Sequence, residues 1–550
     1  MDSADPQSPA TQEEPAEATA SGRPLAGRIA ARLDRPRLRK AALGTLFLVG
    51  WTWLVVRFLG LELSPPGFFM DEATPAVHAM CLAQTGKNLD AQPWPLYSHA
   101  AGGGHHPITL LVFDIVWTKF FGTSRGAFRA VSAFFILLTC VGLFLLAREL
   151  AARISVAPDD ERSQAAVRAF PWLVLFAALL SPWGFQFSRV GWEAPLAPAF
   201  LVLALVALLR GLRVRKQLLV WSILAGVGAS AAMVTYPPLR ATAPLVFVAM
   251  VALLWLVDKG RQPRWDLVKG ALVTLAVTGI CMLSTLRMLG QGKINERMNN
   301  IAIWCPAWVQ ERIGGTPRWL FYVQTFLDNV VAYLRPSFLF FTGDQSMRHS
   351  PRIIGELSPV DTLALLLVAG AASSATWRML RGRGPSPLAQ AGQPSPAVRW
   401  LVGIALGALL GCFFGVVPAA LTYDALPNAL RAIAAWPFIA LFSGTVLAIA
   451  CARRRWVTPA LALVSLSYTL CFFPAYFRAY DKAEGHWFMR EMTDLLDSQR
   501  KAHSPTPPEK LIEKNMAYSY RYYEVPMYYL MTEARMGCRQ AKDAALAYRR

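Results

Sequence analysis

The chain has 550 residues, 54% of them hydrophobic and only 16% charged. Soluble domains carry about 25% charged residues, so a soluble globular protein is excluded. The formal net charge of +20 does not mark a nucleic-acid binder, which would gather its charge on one folded domain. Here the cations sit in short clusters between apolar blocks: Arg28 to Lys40, Arg148 to Arg168, Arg210 to Lys216, Lys259 to Lys269, Arg378 to Arg399 and Arg453 to Arg455. That is the pattern of cytoplasmic loops in a polytopic membrane protein.

Residues 1–22 are rich in Ala, Ser, Pro and Glu and contain no apolar run, which reads as a disordered tail with no cleavable signal peptide. The basic stretch that follows completes a cytoplasmic arm over 1–40. Apolar blocks then predict spans near 41–60, 130–147, 170–187, 192–210, 218–235, 240–257, 268–288, 359–377, 400–420, 432–450 and 457–473. The segment 108–121 is apolar but short, and runs of about 10–14 residues more often lie at the interface than cross. If it does not cross, every basic cluster falls on the cytoplasmic side. The expectation is therefore an all-α polytopic membrane protein with about eleven transmembrane helices, its N-terminus inside and its C-terminus outside.

This topology puts the long polar segments on the outer face: 61–129, 289–358 and 474–550. The membrane domain is expected over 41–473. The tail 474–550 reads as a small mixed α/β module, with a helix near 483–501 and an extended Tyr-rich stretch near 515–531. The Pro/Gly/Ser-rich loop 379–398 is an inner linker. Among the eight cysteines, Cys81, Cys305 and Cys538 face an oxidising compartment, and the sequence does not pair them.

All seven histidines fall on the predicted outer side. So do Asp71, Glu72, Glu193, Asp344 and Asp424, and the arginines Arg129, Arg189, Arg240, Arg287, Arg348 and Arg431 at the outer ends of spans. Arginines placed there run against the positive-inside trend and suit an anionic lipid headgroup. Asp71-Glu72 has two readings from spacing alone: helix punctuation favoured by the dipole, or a working carboxylate at a membrane surface. Arg189 and Glu193 have the spacing of a structural i,i+4 pair. The pair His105-His106 lacks further ligands at metal-site spacing, so no metal site is read there.

Several short runs carry a resemblance. They are Pro66-Gly67-Phe68-Phe69-Met70-Asp71-Glu72-Ala73, Thr85-Gly86, Pro95-Leu96-Tyr97, His106-Pro107, Phe121-Gly122 and Arg129. In that order they resemble the first outer loop of the GT-C glycosyltransferases, closest to the branch of protein O-mannosyltransferases and the lipid A aminoarabinose transferase. Phe187-Ser188-Arg189-Val190-Gly191-Trp192-Glu193, Gly343-Asp344 with Arg348-His349, and Pro427 to Pro437 resemble later outer loops of bacterial members.

The resemblance implies a polyprenyl-phosphate sugar as donor and inverting transfer to a hydroxyl on the outer face of a bacterial inner membrane. It implies Asp71 as general base and Arg129 as the ligand of the donor phosphate. Arg189, Arg240 and Arg431 join Arg129 by topology. Glu72, His106, Glu193, Asp344 and His349 are expected to bind substrate or support the site. No cofactor or metal is expected, and neither is a nucleic-acid partner. The acceptor, whether glycolipid, glycan or protein, stays open. The competing reading is a transporter or lipid flippase, but such proteins place ionisable groups near the midplane on repeat-related broken helices, and here they cluster at one surface.

Overall fold

The computed structural model describes residues 36–100, 104–257, 264–294, 296–381 and 395–483, with 489–490, 493–494, 527–528, 531–532 and 535–547 from the tail. The expected disordered tail 1–22, the core of the inner linker and nearly all of the proposed tail helix and Tyr-rich stretch lie outside the described residues.

The chain is a multi-pass helical membrane protein. Helix α1 (Pro36–Val56) leads into α2 (Met70–Thr85), a hairpin of β1 (Tyr97–Ala100) and β2 (Gly104–Pro107), and α3 (Ile108–Phe121). The bundle continues with α4 (Arg125–Ala151), α5 (Glu161–Leu179), the short α6 (Pro182–Phe187), α7 (Ala197–Arg213), α8 (Leu218–Thr235), α9 (Leu239–Val257) and α10 (Arg264–Gly290). Three helices follow in the long segment after α10: α11 (Glu296–Ile301), α12 (Pro306–Arg312) and α13 (Arg318–Tyr333). Then come α14 (Pro359–Leu380), α15 (Pro396–Ala420), α16 (Trp436–Arg453), α17 (Val457–Asp481) and, in the tail, α18 (Cys538–Ala547).

Nine of the described helices are long and apolar enough to cross a bilayer. They coincide with nine of the eleven expected spans. The other two correspond to α5 and α7, which are shorter in apolar run but lie inside the bundle. Phe170, Val174 and Ala177 of α5 and Leu201, Leu205 and Leu208 of α7 are buried, so protein surrounds them where lipid would otherwise be. The expected span 170–187 is broken at Ser181. Its hydroxyl accepts from the Gly184 amide and caps α6, with Pro182 at the first helical position. The helix α3 is 14 residues long, too short for an untilted crossing.

The hairpin pairs Ser98 with His106 and His99 with His105. A disulfide joins Cys81 of α2 to Cys538 at the start of α18, supplying the pairing that sequence spacing left open. Around it, Phe68, Ala73, Val77 and Met80 form a small second core with Met527, Tyr528, Met531 and Ala541. These described tail residues are thereby packed on the segment that carries α2.

Candidate active site

The site is built around the first turn of α2. Phe69 is extended (φ −71°, ψ 153°), and the helix begins after it with Asp71 and Glu72 in its first turn, where negative charge meets the unpaired amides. One residue of helix rotation turns the two carboxylates apart.

Glu72 points inward. It accepts 2.8 Å bonds from Nε and Nη2 of Arg129 and a third from the Gly191 amide at 2.8 Å. Neither Glu72 nor Arg129 is exposed beyond 1%. The other donors of Arg129 go to the carbonyls of Leu61, Pro65 and Gly67 at 2.7–3.0 Å. All five N–H groups of this guanidinium are therefore spent, and it has no donor left for a phosphate. The expectation placed on Arg129 is corrected on that ground.

Arg189 differs from expectation in the same way. Its guanidinium donates to the carbonyls of Val56, Arg57, Gly60 and Ser64, closing the C-terminal end of α1, and it too is fully buried. Arg431 is held by Asp424 at 2.7 Å and by Thr422. Arg240 donates to the Met233 carbonyl and the Tyr97 hydroxyl. Arg431 and Arg240 keep part of their surface open.

Asp71 faces the other way, toward Arg348. Arg348 Nη1 lies 3.4 Å from Asp71 Oδ2, and the two side chains stay 27% and 35% exposed. The guanidinium stands 4.3 Å over the Phe69 ring, a cation–π contact, and its Nε has no hydrogen-bond partner. Burial pushes the Asp71 carboxyl above its usual range, offset by Arg348, Arg297 and His106 and reinforced by Glu193. The solvent-open edge of Asp71 moderates that rise.

The loop behind Arg348 is fixed from several sides. Gln186 Nε2 donates to the Arg348 carbonyl at 2.9 Å, and Tyr476 holds Gln186 at 2.8 Å. Tyr480 donates to the Met347 carbonyl. Asp344 accepts from the Ser346 and Ala429 amides and meets His349 Nδ1 at 2.9 Å. Asp344 and His349 are both buried. They brace the loop from within the protein.

On the opposite flank, buried His106 lies 3.6 Å from Glu193 through Nδ1, and neither ring nitrogen has a hydrogen-bond partner. Glu193 is partly open, at 22%. The structure thus brings Asp71, His106 and Glu193 into one neighbourhood with Arg348. Two cations there were absent from the expected phosphate set. Arg348 stands inside a run that resembles a known loop, and its position beside Asp71 could be found only in three dimensions. Arg297, on α11, is exposed, and the one available sign was a positive charge in an outer loop. Among the described residues, no group of three or more His, Cys, Asp or Glu side chains could hold a metal ion.

No family model matches the chain, and no curated protein matches it. Among solved structures, it is similar to the archaeal oligosaccharyltransferase AglB from Archaeoglobus fulgidus in complex with an inhibitory peptide and a dolichol-phosphate. The identity is 15% and the TM-score 0.41, over 88% of this chain and 59% of that one. It is also similar to ArnT from Cupriavidus metallidurans bound to undecaprenyl phosphate, at 13% identity and a TM-score of 0.39, over 92% and 75%. The chain spans less than two thirds of the length of AglB. Likenesses this distant carry no chemistry, and the functional reading rests on the side chains.

Proposed function

We propose that this protein is a membrane glycosyltransferase that moves a sugar from a polyprenyl-phosphate donor to an acceptor hydroxyl on the outer face of a bacterial inner membrane. The observation that carries the reading is the meeting of Asp71 and Arg348, each partly open, on a rigid frame at one end of the bundle. A hydroxyl is a poor nucleophile, and a positioned carboxylate helps by taking its proton as the new bond forms. Asp71 has this role. The acceptor oxygen attacks the anomeric carbon from the face opposite the phosphate, and the C–O bond to the lipid phosphate breaks with inversion. Charge develops on the departing phosphate, and Arg348 meets it with the part of its side chain that stays open, helped by exposed Arg297. A guanidinium held in place before the reaction needs no reorganisation as that charge appears. No metal enters this step.

Partly open Glu193 lines the sugar side of the site, and buried His106 supports it from 3.6 Å. Glu72, Asp344 and His349 support the site through Arg129 and the Arg348 loop. The membrane domain over 41–473 is the catalytic part. Cys81 and Cys538 supply an argument for topology. A disulfide persists in an oxidising compartment, which supports α2 and the tail lying together on the outer side.

The test is Asp71→Asn in membranes supplied with labelled polyprenyl-phosphate sugars. The substitution keeps shape and removes the base. Transfer is expected to disappear while the folded variant still binds polyprenyl phosphate. Unchanged transfer by a folded variant would overturn the assignment.

A further inference from the structure

Helix α2 carries the proposed base on a first turn that is held by contacts from outside the helix, among them Arg129 and the Gly191 amide on Glu72. Pro75 lies inside the helix and has no N–H, so the Asp71 carbonyl loses its partner four residues on. Phe69 offers no side-chain cap, and the Glu72 carboxylate reaches back to the Phe69 amide at 3.4 Å. Such a turn takes its posture from what packs against it, and much of that comes from the far end of the chain.

Three sets of contacts from the tail reach it. The Phe68 amide, three residues before Asp71, donates to the hydroxyl of buried Thr493 at 3.1 Å. The Phe68 ring packs on Tyr528 at 4.6 Å, and the Tyr528 hydroxyl donates to the Thr123 carbonyl at 2.7 Å, between α3 and α4. At the other end of α2, the Cys81–Cys538 disulfide is joined by the Cys538 amide on Gln84 Oε1 at 3.0 Å and by Lys542 Nζ on the Leu89 carbonyl at 2.8 Å. The disulfide closes a sequence separation of 457 residues. Cross-links over long loops remove the most freedom from the open chain.

We propose that the C-terminal segment bearing Thr493, Tyr528 and Cys538 is a brace, covalently latched to α2, that sets the position of Asp71. It deepens the glycosyltransferase reading and rests on Asp71 being the base. Thr493, Tyr528 and the disulfide are positioning groups. Their contacts described here are to Phe68, Thr123, Cys81 and Gln84, so they act on the reaction through the helix and the residue leading into it. Misplacing a reacting group by about 1 Å costs on the order of 10²-fold in rate, so a slack brace is felt at the chemical step even in a folded protein.

The test uses the full-length protein in membranes, with kcat expressed per folded molecule. Thr493→Val and the double variant Cys81→Ala/Cys538→Ala are each expected to lower kcat roughly 10- to 100-fold. KM should stay within about twofold, because the donor's own contacts are untouched. Tyr528→Ala should behave alike, and Tyr528→Phe, which keeps the ring on Phe68, should recover most of the rate. Asp71→Asn is assayed beside them. Wild-type kcat in the brace variants while Asp71→Asn is dead would overturn the brace and leave the catalytic reading standing. A loss confined to KM, or to the amount of folded protein, would also overturn it. If the double cysteine variant does not fold, the near-isosteric Thr493→Val decides. Activity in Asp71→Asn would instead remove the reading on which the brace rests.

Discussion

Arg129 grips Glu72 through two 2.8 Å hydrogen bonds in a place where neither side chain reaches solvent. The pair ties α2 to α4, and the Gly191 amide on Glu72 adds the segment between α6 and α7. A buried ion pair gains little over apolar side chains of the same volume, but removing one partner strands the other. Arg129→Met or Glu72→Gln is therefore expected to destabilise the folded protein by about 3–5 kcal/mol. Substituting both residues at once should cost clearly less than the sum of the two single changes. Unfolding in detergent, followed for the four members of the cycle, measures this. Additive losses would show that the pair is not the joint that the geometry describes.

Arg348 has a different fate. It is only partly buried and stands 3.4 Å from Asp71, so its removal should leave the fold intact and change the chemistry. Arg348→Gln is expected to lower kcat by about 10²–10³, the usual cost of one preorganised donor to developing charge. Arg348→Lys should recover only part of it, because a point charge does not reproduce the guanidinium fork. A second effect has a fixed sign. Arg348 favours the ionised form of Asp71, so its loss raises that carboxyl further. The base works deprotonated, and the acid limb of the pH–rate profile must move to higher pH in Arg348→Gln. A limb that stays in place or moves down would separate Arg348 from the base.

Much of this architecture is legible in the sequence because bilayer physics writes it there. Apolar blocks of near-spanning length and the sided distribution of cations locate the helices. The exceptions are instructive: α5 opens on a polar stretch with Arg162 and Arg168, α7 is only 17 residues long, and Ser181-Pro182 ends one helix and starts the next. The site was legible as a neighbourhood and not as a set of roles. Adjacent carboxylates such as Asp71 and Glu72 are equivalent in a sequence, and one step of helix rotation sends one to Arg129 and the other to Arg348. An outer-face arginine likewise announces that it has a partner without saying which. Arg189 spends its donors on the end of α1, Arg129 on Glu72 and three carbonyls, and Arg348 alone of the three keeps an unpartnered donor beside Asp71. Those differences depend on contacts between residues 57 to 277 positions apart, which no local pattern records.

The last prediction concerns His78, on the same helix and held neutral by its surroundings. Its Nδ1 accepts from the Leu89 amide at 3.3 Å, and its Nε2 meets the His99 carbonyl at 2.9 Å, which requires the proton on Nε2. Burial first, and the neighbouring His106 next, push its pKa down to about 3. In the unfolded chain a histidine titrates near 6.5. Between these two values the unfolded chain binds a proton that the fold refuses, so stability rises with pH through this window. The contribution is complete above about pH 6.5 and is lost progressively as the pH falls toward 3. His105, also lowered chiefly by burial, adds to the slope with the same sign. His78→Gln keeps a donor and an acceptor at the position without a titrating group. It should lower Tm at neutral pH through imperfect fit, and it should flatten the fall of Tm between pH 6.5 and 4.5 relative to the unsubstituted protein, measured at one scan rate in one detergent. An equally steep fall in both proteins would show that His78 is not the group whose protonation the fold resists.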